Sequence, residues 1–109
     1  MATYLQLARF SAEGAQGMLE GGFQARADAA GPMLESIGFT VIDYWIVSGG
    51  EWHAAVLLEG PDDFNAADAA RTTFQQVAAG AIVDGRFLRL AKPAEVDAAK
   101  QFDYTPPGA

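Results

Sequence analysis

The sequence predicts an α+β domain with the element order β-α-β-β-α-β, its four strands forming one antiparallel sheet with both helices on one face. Three observations carry this. Four runs are dense in β-branched, aromatic and aliphatic side chains, two stretches rich in Ala and other helix formers lie between them, and glycine or Gly-Pro stands at most of the junctions.

Thr3 to Phe10 (TYLQLARF) contains no breaker and reads as the first strand. Ser11 then offers an N-cap oxygen, and Glu13 places negative charge in the first turn, where the helix dipole favours it. The helix that follows is expected to be segmented: Gly21-Gly22 and Gly31-Pro32 each weaken or break the backbone ladder before the helix ends at Gly38. Thr40 to Ser48 and Glu51 to Glu59 are two strands joined at Gly49-Gly50. A two-residue turn there would set Ser48 opposite Glu51 and Ile46 opposite His53.

Gly60-Pro61-Asp62-Asp63 is read as the stop of the third strand and the entrance of the second helix, because proline and carboxylates both suit a helix N-terminus. Phe64, Ala67, Phe74, Val77 and Ala78 recur at helical spacing as the expected buried face, leaving Asp68, Arg71 and Gln75 outward, and Gly80 ends the helix. Ala81 to Leu90 is the fourth strand, with Gly85 a candidate bulge or close approach, and Pro93 to Lys100 adds a short helix before an aperiodic tail. The domain is therefore expected over residues 1–92, with 93–109 outside it. This order is the split βαβ arrangement of ferredoxin-like domains.

Strict alternation puts Trp52, Ala54, Val56 and Leu58 on one face of the third strand and His53, Ala55 and Leu57 on the other. On the second strand Val41, Trp45 and Val47 oppose Ile42, Tyr44 and Ile46. Both faces are apolar, whereas a sheet wetted on one side alternates polar with apolar. The expectation is a homodimer in which two bare sheet faces cover each other.

Composition narrows the function classes. The 109 residues carry 7 Lys+Arg against 14 Asp+Glu, a net charge of −7, which opposes binding to phosphate backbones and anionic lipid surfaces. Neither nucleic acid nor membrane is expected as a partner. With no Cys there is neither a disulfide framework nor a thiolate metal site. No apolar run approaches the roughly 20 residues of a spanning helix, and the start, Met1-Ala2-Thr3-Tyr4-Leu5, does not look like a leader, so a cytoplasmic protein is expected.

His53 is the single histidine and the one side chain whose ordinary pKa lies near neutrality, which makes it the candidate for proton transfer. On the assumed alternation Tyr44 shares its face, able to pass a proton or orient a carbonyl. The plainer alternative is a hydrogen-bonded strand histidine in the core or dimer seam. Asp43 lies in an apolar strand and needs solvent or a cation, with Arg9 the candidate partner; together they either orient a polar ligand or form a strand-edge ion pair. Tyr4, Trp45, Trp52, Phe39 and Phe87 can line a pocket for a flat ligand, or simply pack. Asp62-Asp63 reads as a helix cap rather than a cation site, and no nucleotide-binding or nucleophile-elbow motif occurs.

Gly50-Glu51-Trp52-His53, an apolar strand and then Glu59-Gly60-Pro61-Asp62-Asp63 resemble the GYD-domain family, named for a Gly-x-Tyr-Asp signature at this place. Ala2-Thr3-Tyr4-Leu5, Arg9-Phe10, Glu13-Gly14, Tyr44-Trp45 and Leu88-Arg89 are similar to the same pattern, and the likeness runs from about residue 2 to residue 91. It implies a ferredoxin-like domain of the dimeric α/β-barrel type and no established reaction. The signature Tyr-Asp is Trp52-His53 here, so a role of the family's Asp does not carry over to His53. Among dimeric α/β barrels, cofactor-free acid/base chemistry is a known theme. The expectation is thus a small aromatic or polyketide-like substrate cyclised or isomerised by His53 and Tyr44 without metal or cofactor; the alternative is a non-catalytic binding or assembly module.

Overall fold

The computed structural model describes residues 1–108. Its elements are β1 (Ala2–Phe10), α1 (Ala12–Gly21), α2 (Phe23–Glu35), β2 (Thr40–Ile46), β3 (Ala54–Gly60), α3 (Ala66–Ala78), β4 (Ile82–Leu90) and α4 (Pro93–Asp97). The strands form one antiparallel sheet in the order β2-β3-β1-β4, the topology expected of a ferredoxin-like domain.

Period-2 alternation sorts the two faces. In β1 and β3 the even-numbered residues (Ala2, Tyr4, Gln6 and Ala8; Ala54, Val56, Leu58 and Gly60) are all buried and lie directly opposite one another. Buried Met18 of α1 and Leu34 of α2 belong to the layer that covers them, with α2 lying along β2 and α3 along β4. Leu34 packs with Tyr4, Phe39, Val56 and Leu58 in the main core cluster. Gly60 is required by that cluster: a Cβ there would stand 2.2 Å from the Phe39 ring.

The first helix is segmented at the expected place. Ser11 caps α1, its Oγ accepting the Gly14 N–H at 2.9 Å, and Gly22 breaks the ladder with φ +93°. Gly31-Pro32 does not break it, because α2 runs through Pro32 to Glu35. The second helix begins later than Pro61. Asn65 accepts the Asp68 N–H at 3.0 Å while the Asp68 carboxylate accepts the Asn65 N–H at 3.1 Å, a capping box that starts α3 at Ala66. Its expected apolar face is also displaced. Phe74 is 75% exposed, and Ala69, Thr72, Thr73 and Gln76 are the partly covered positions.

The β2–β3 connection is longer than a two-residue turn. Ile46 lies opposite Ala54, and the Val47 N–H donates to the His53 carbonyl at 2.9 Å, so Ser48–Trp52 form the loop. Gly49 and Gly50 do take positive φ, but Glu51 and Trp52 leave the ladder. Glu51 pairs with Arg9 of β1 at 3.5 Å, and the Arg86 guanidinium of β4 sits 5.5 Å over the Trp52 ring. Both residues are drawn across the sheet rather than held beside β2.

β2 carries a bulge: Val41 opposes Leu58 and Asp43 opposes Leu57, leaving Ile42 as the extra residue. This moves Val41 to the side of Tyr44 and Ile46, not that of Trp45. A second irregularity lies between Arg9 and Phe10, which oppose Asp84 and Ile82, so the bulge of β4 falls at Val83 and not at Gly85. From Ala91 to Gly108 every residue is exposed, including short α4. The radius of gyration, 16.8 Å, accordingly exceeds the roughly 13 Å of a compact chain near this length. Among the described residues no helix is long and apolar enough to cross a membrane.

Gly60→Ala is expected to cost about 1–3 kcal/mol through overpacking against Phe39. Gly21→Ala, whose added Cβ meets nothing within 4 Å, is expected to be neutral or stabilising by about 0.5–1 kcal/mol. Urea unfolding of the two variants checks both the size and the sign.

Candidate functional site

Between the sheet and the helix layer lies a cavity of about 240 Å³. Its floor is Gln6 and Ala8 of β1, Ala54 and Val56 of β3 and Tyr44 of β2; Met18, Ala30, Met33 and Leu34 close it from α1 and α2. Gln76 and Ala79 bound it on the α3 side, and Arg26 reaches it from α2. The lining is mostly apolar with a few polar groups, the usual make-up of a small-molecule site. A cavity of about 150 Å³ accommodates benzene, so this one has room for a single ring with a short substituent.

The polar groups differ in how they are satisfied. Gln6 is 4% exposed, and its Nε2 donates to Gln76 Oε1 at 3.2 Å, a buried amide pair tying β1 to α3. Among the described residues neither the Tyr44 hydroxyl nor the Arg26 guanidinium has a hydrogen-bond or ion-pair partner. Burial pushes the Tyr44 phenol above its ordinary value near 10, and the positive charge of Arg26 draws it part of the way back.

Of the residues singled out from the sequence, Tyr44 alone lines this cavity. The pairing of Ile46 with Ala54 places it there, opposite Val56 on the helix side. His53 is not beside it, contrary to the shared face that strict alternation predicts. It is exposed just before β3; its Nδ1 accepts the Phe10 N–H at 2.9 Å, and its ring lies 5.8 Å from that of Phe10.

Tyr4 and Phe87 belong to the core at the other end of the sheet. Tyr4 is 2% exposed, its hydroxyl donates to the Pro61 carbonyl at 2.6 Å, and its ring meets Phe39 and Phe64 edge-on. Phe87 packs against Phe39 and Phe64.

Arg9 does not pair with Asp43, since β3 separates their strands; it pairs instead with Glu51 at 3.5 Å and Asp84 at 3.9 Å. Asp43 is exposed and accepts the Tyr44 N–H at 2.9 Å, so its carboxylate meets both solvent and backbone beside the bulge. Trp45 lies opposite Ala55 on the sheet face away from the helices, and Trp52 sits under Arg86.

The cavity residues missed in the sequence are Gln6, Arg26 and Gln76. Two of them left a signal. Gln6 interrupts the helix-facing set Ala2, Tyr4, Ala8 with an amide, and Arg26 stands four residues before Ala30 and eight before Leu34, on the same stripe of α2.

The raised Tyr44 pKa makes stability fall with alkalinity. Below pH about 10 both folded and unfolded chains keep the phenolic proton; above it the unfolded chain releases the proton first, and unfolding becomes easier until the native value is passed. Urea midpoints measured from about pH 9 to about pH 11 are expected to fall less for Tyr44→Phe than for the wild type. An equal fall in both would show that burial of this phenol has no such effect. No family model matches the chain, and neither a curated protein nor a solved structure does.

Proposed function

We propose that this chain is a small-molecule-binding domain of the GYD type that works as a homodimer through its bare sheet face, with its ligand held in the cavity between sheet and helices. The observation that carries the reading is the cavity itself: an apolar chamber sized for one ring, lined by the buried Gln6 and by Tyr44, whose hydroxyl has no hydrogen-bond partner among the described residues. A mostly apolar lining with a few convergent polar groups is the usual form of a small-molecule site, and the Tyr44 phenol has a hydrogen bond to offer there.

The His53–Tyr44 acid/base pair is the less favoured reading. His53 is exposed and engaged by the backbone of β1, while Tyr44 faces the cavity, so a proton taken by one has no direct route to the other. Binding without chemistry uses every cavity group as it stands.

The dimer has its own support. Leu5 and Leu7 of β1, Ala55 and Leu57 of β3, Trp45 of β2 and Leu88 of β4 form the middle of the face away from the helices. Trp45 is 47% exposed and Leu88 42% exposed. Fully burying one such side chain is worth about 1.5–3 kcal/mol, so this face strongly favours a cover. Arg9, Asp84, Arg86 and Glu51 gather at one end of it as a charged margin, the apolar-centre and polar-edge layout of protein interfaces.

Two measurements test the reading. A panel of one-ring compounds followed by amide NMR is expected to shift resonances of Gln6, Tyr44 and Val56 in the wild type. Ala30→Leu, which fills the chamber from α2, is expected to abolish those shifts while leaving stability equal or higher. Binding that survives Ala30→Leu would exclude the cavity. In sedimentation at micromolar concentration the wild type is expected as a dimer, and Leu57→Glu as a folded monomer. A monomeric wild type would exclude the sheet-face assembly.

A further inference from the structure

We infer that the ligand of this cavity is a monocarboxylate: a one-ring or short-chain acid whose apolar body fills the chamber and whose carboxylate is held by the Arg26 guanidinium and the Tyr44 hydroxyl. This rests on the cavity reading above and adds the chemical class of its occupant.

Charge is the first argument. The chain carries 14 acidic against 7 basic side chains, so its mean field repels an anion and only a local donor can attract one. Arg9 and Arg86 are engaged with carboxylates, and Arg89 donates to the Asp62 carbonyl. Arg26 has no such partner among the described residues, and it is the one cation that lines the cavity.

Geometry is the second. Arg26 lies in the first turn of α2, and its guanidinium crosses toward α1 over Gly17, where a Cβ would stand 3.3 Å from Nη2. The missing side chain at Gly17 makes room for that guanidinium. Tyr44 reaches the same chamber from the sheet, and its phenol feels the Arg26 charge. A guanidinium fork and one phenolic O–H match the acceptor capacity of a single carboxylate. A phosphate dianion calls for more donors than these two side chains provide. Deeper in, Met18, Leu34, Val56 and Ile82 offer only apolar contact, which suits a hydrocarbon body rather than a sugar or a second charge.

Phenylacetate and phenylacetamide have nearly the same shape and differ in charge, so titration calorimetry with this pair isolates the claim. Wild type is expected to bind phenylacetate roughly ten-fold more tightly than the amide, the difference a charge-assisted contact at a partly open site confers. Arg26→Gln is expected to reduce phenylacetate to the level of the amide and leave the amide unchanged. Gly17→Ala, which keeps the charge but crowds it, is expected to narrow the preference. Equal affinities in the wild type, or a preference that persists in Arg26→Gln, would overturn the carboxylate assignment and leave the cavity reading standing. Binding of neither probe would overturn both.

Discussion

Which way Tyr44 points depends on the register between β2 and β3. A strand alternates its side chains strictly, so without an irregularity Val41, Asp43, Trp45 and Val47 would share one face of β2. Pairing Ile46 with Ala54 sends Tyr44 and Ile46 toward the helices and Asp43 and Trp45 away from them, and the extra residue at Ile42 brings Val41 to the Tyr44 side. The cavity's phenol, the exposure of Trp45 and the placement of Asp43 on the bare side all follow from that register.

Two apolar layers then meet different fates. On the helix side, Leu34 closes over Tyr4, Val56, Leu58 and Phe39, an aromatic and aliphatic core into which Gly60 fits because it has no side chain. Around the cavity the same layer is built from small residues, Ala8, Ala30, Ala54 and Ala79, and small side chains between a sheet and helices leave space rather than density. The chamber is thus a consequence of alanine where a core would ordinarily carry leucine. On the opposite side nothing from the described chain covers Leu5, Leu7, Leu57 and Trp45, and the Arg9, Glu51 and Asp84 cluster keeps one end of that face polar.

The element order, the Ser11 cap, the break at Gly22 and the face-by-face apolarity of β1 and β3 were legible in the sequence because each is a local matter of propensity or of period. Other features were not, because a partner distant in sequence decides them. The loop between β2 and β3 lengthens because Glu51 and Trp52 find Arg9 and Arg86 on other strands. The outward position of Phe74 follows from α3 turning Gln76 toward Gln6, so an amide pair takes the inner stripe where a ring was expected. Pro61 and Asp62 look like a helix entrance, but the Pro61 carbonyl is held by the Tyr4 hydroxyl and the Asp62 carbonyl by Arg89, which binds the segment to the sheet and leaves Asn65 to cap.

By itself the sequence determined the four strands, the segmented helix and the fact that both sides of the sheet are greasy, since these follow from residue types and their spacing along the chain. Tertiary structure alone decided that Tyr44 meets Gln6 and Arg26 rather than His53, because a one-residue offset in strand phase exchanges one face for the other and leaves no mark in composition or period.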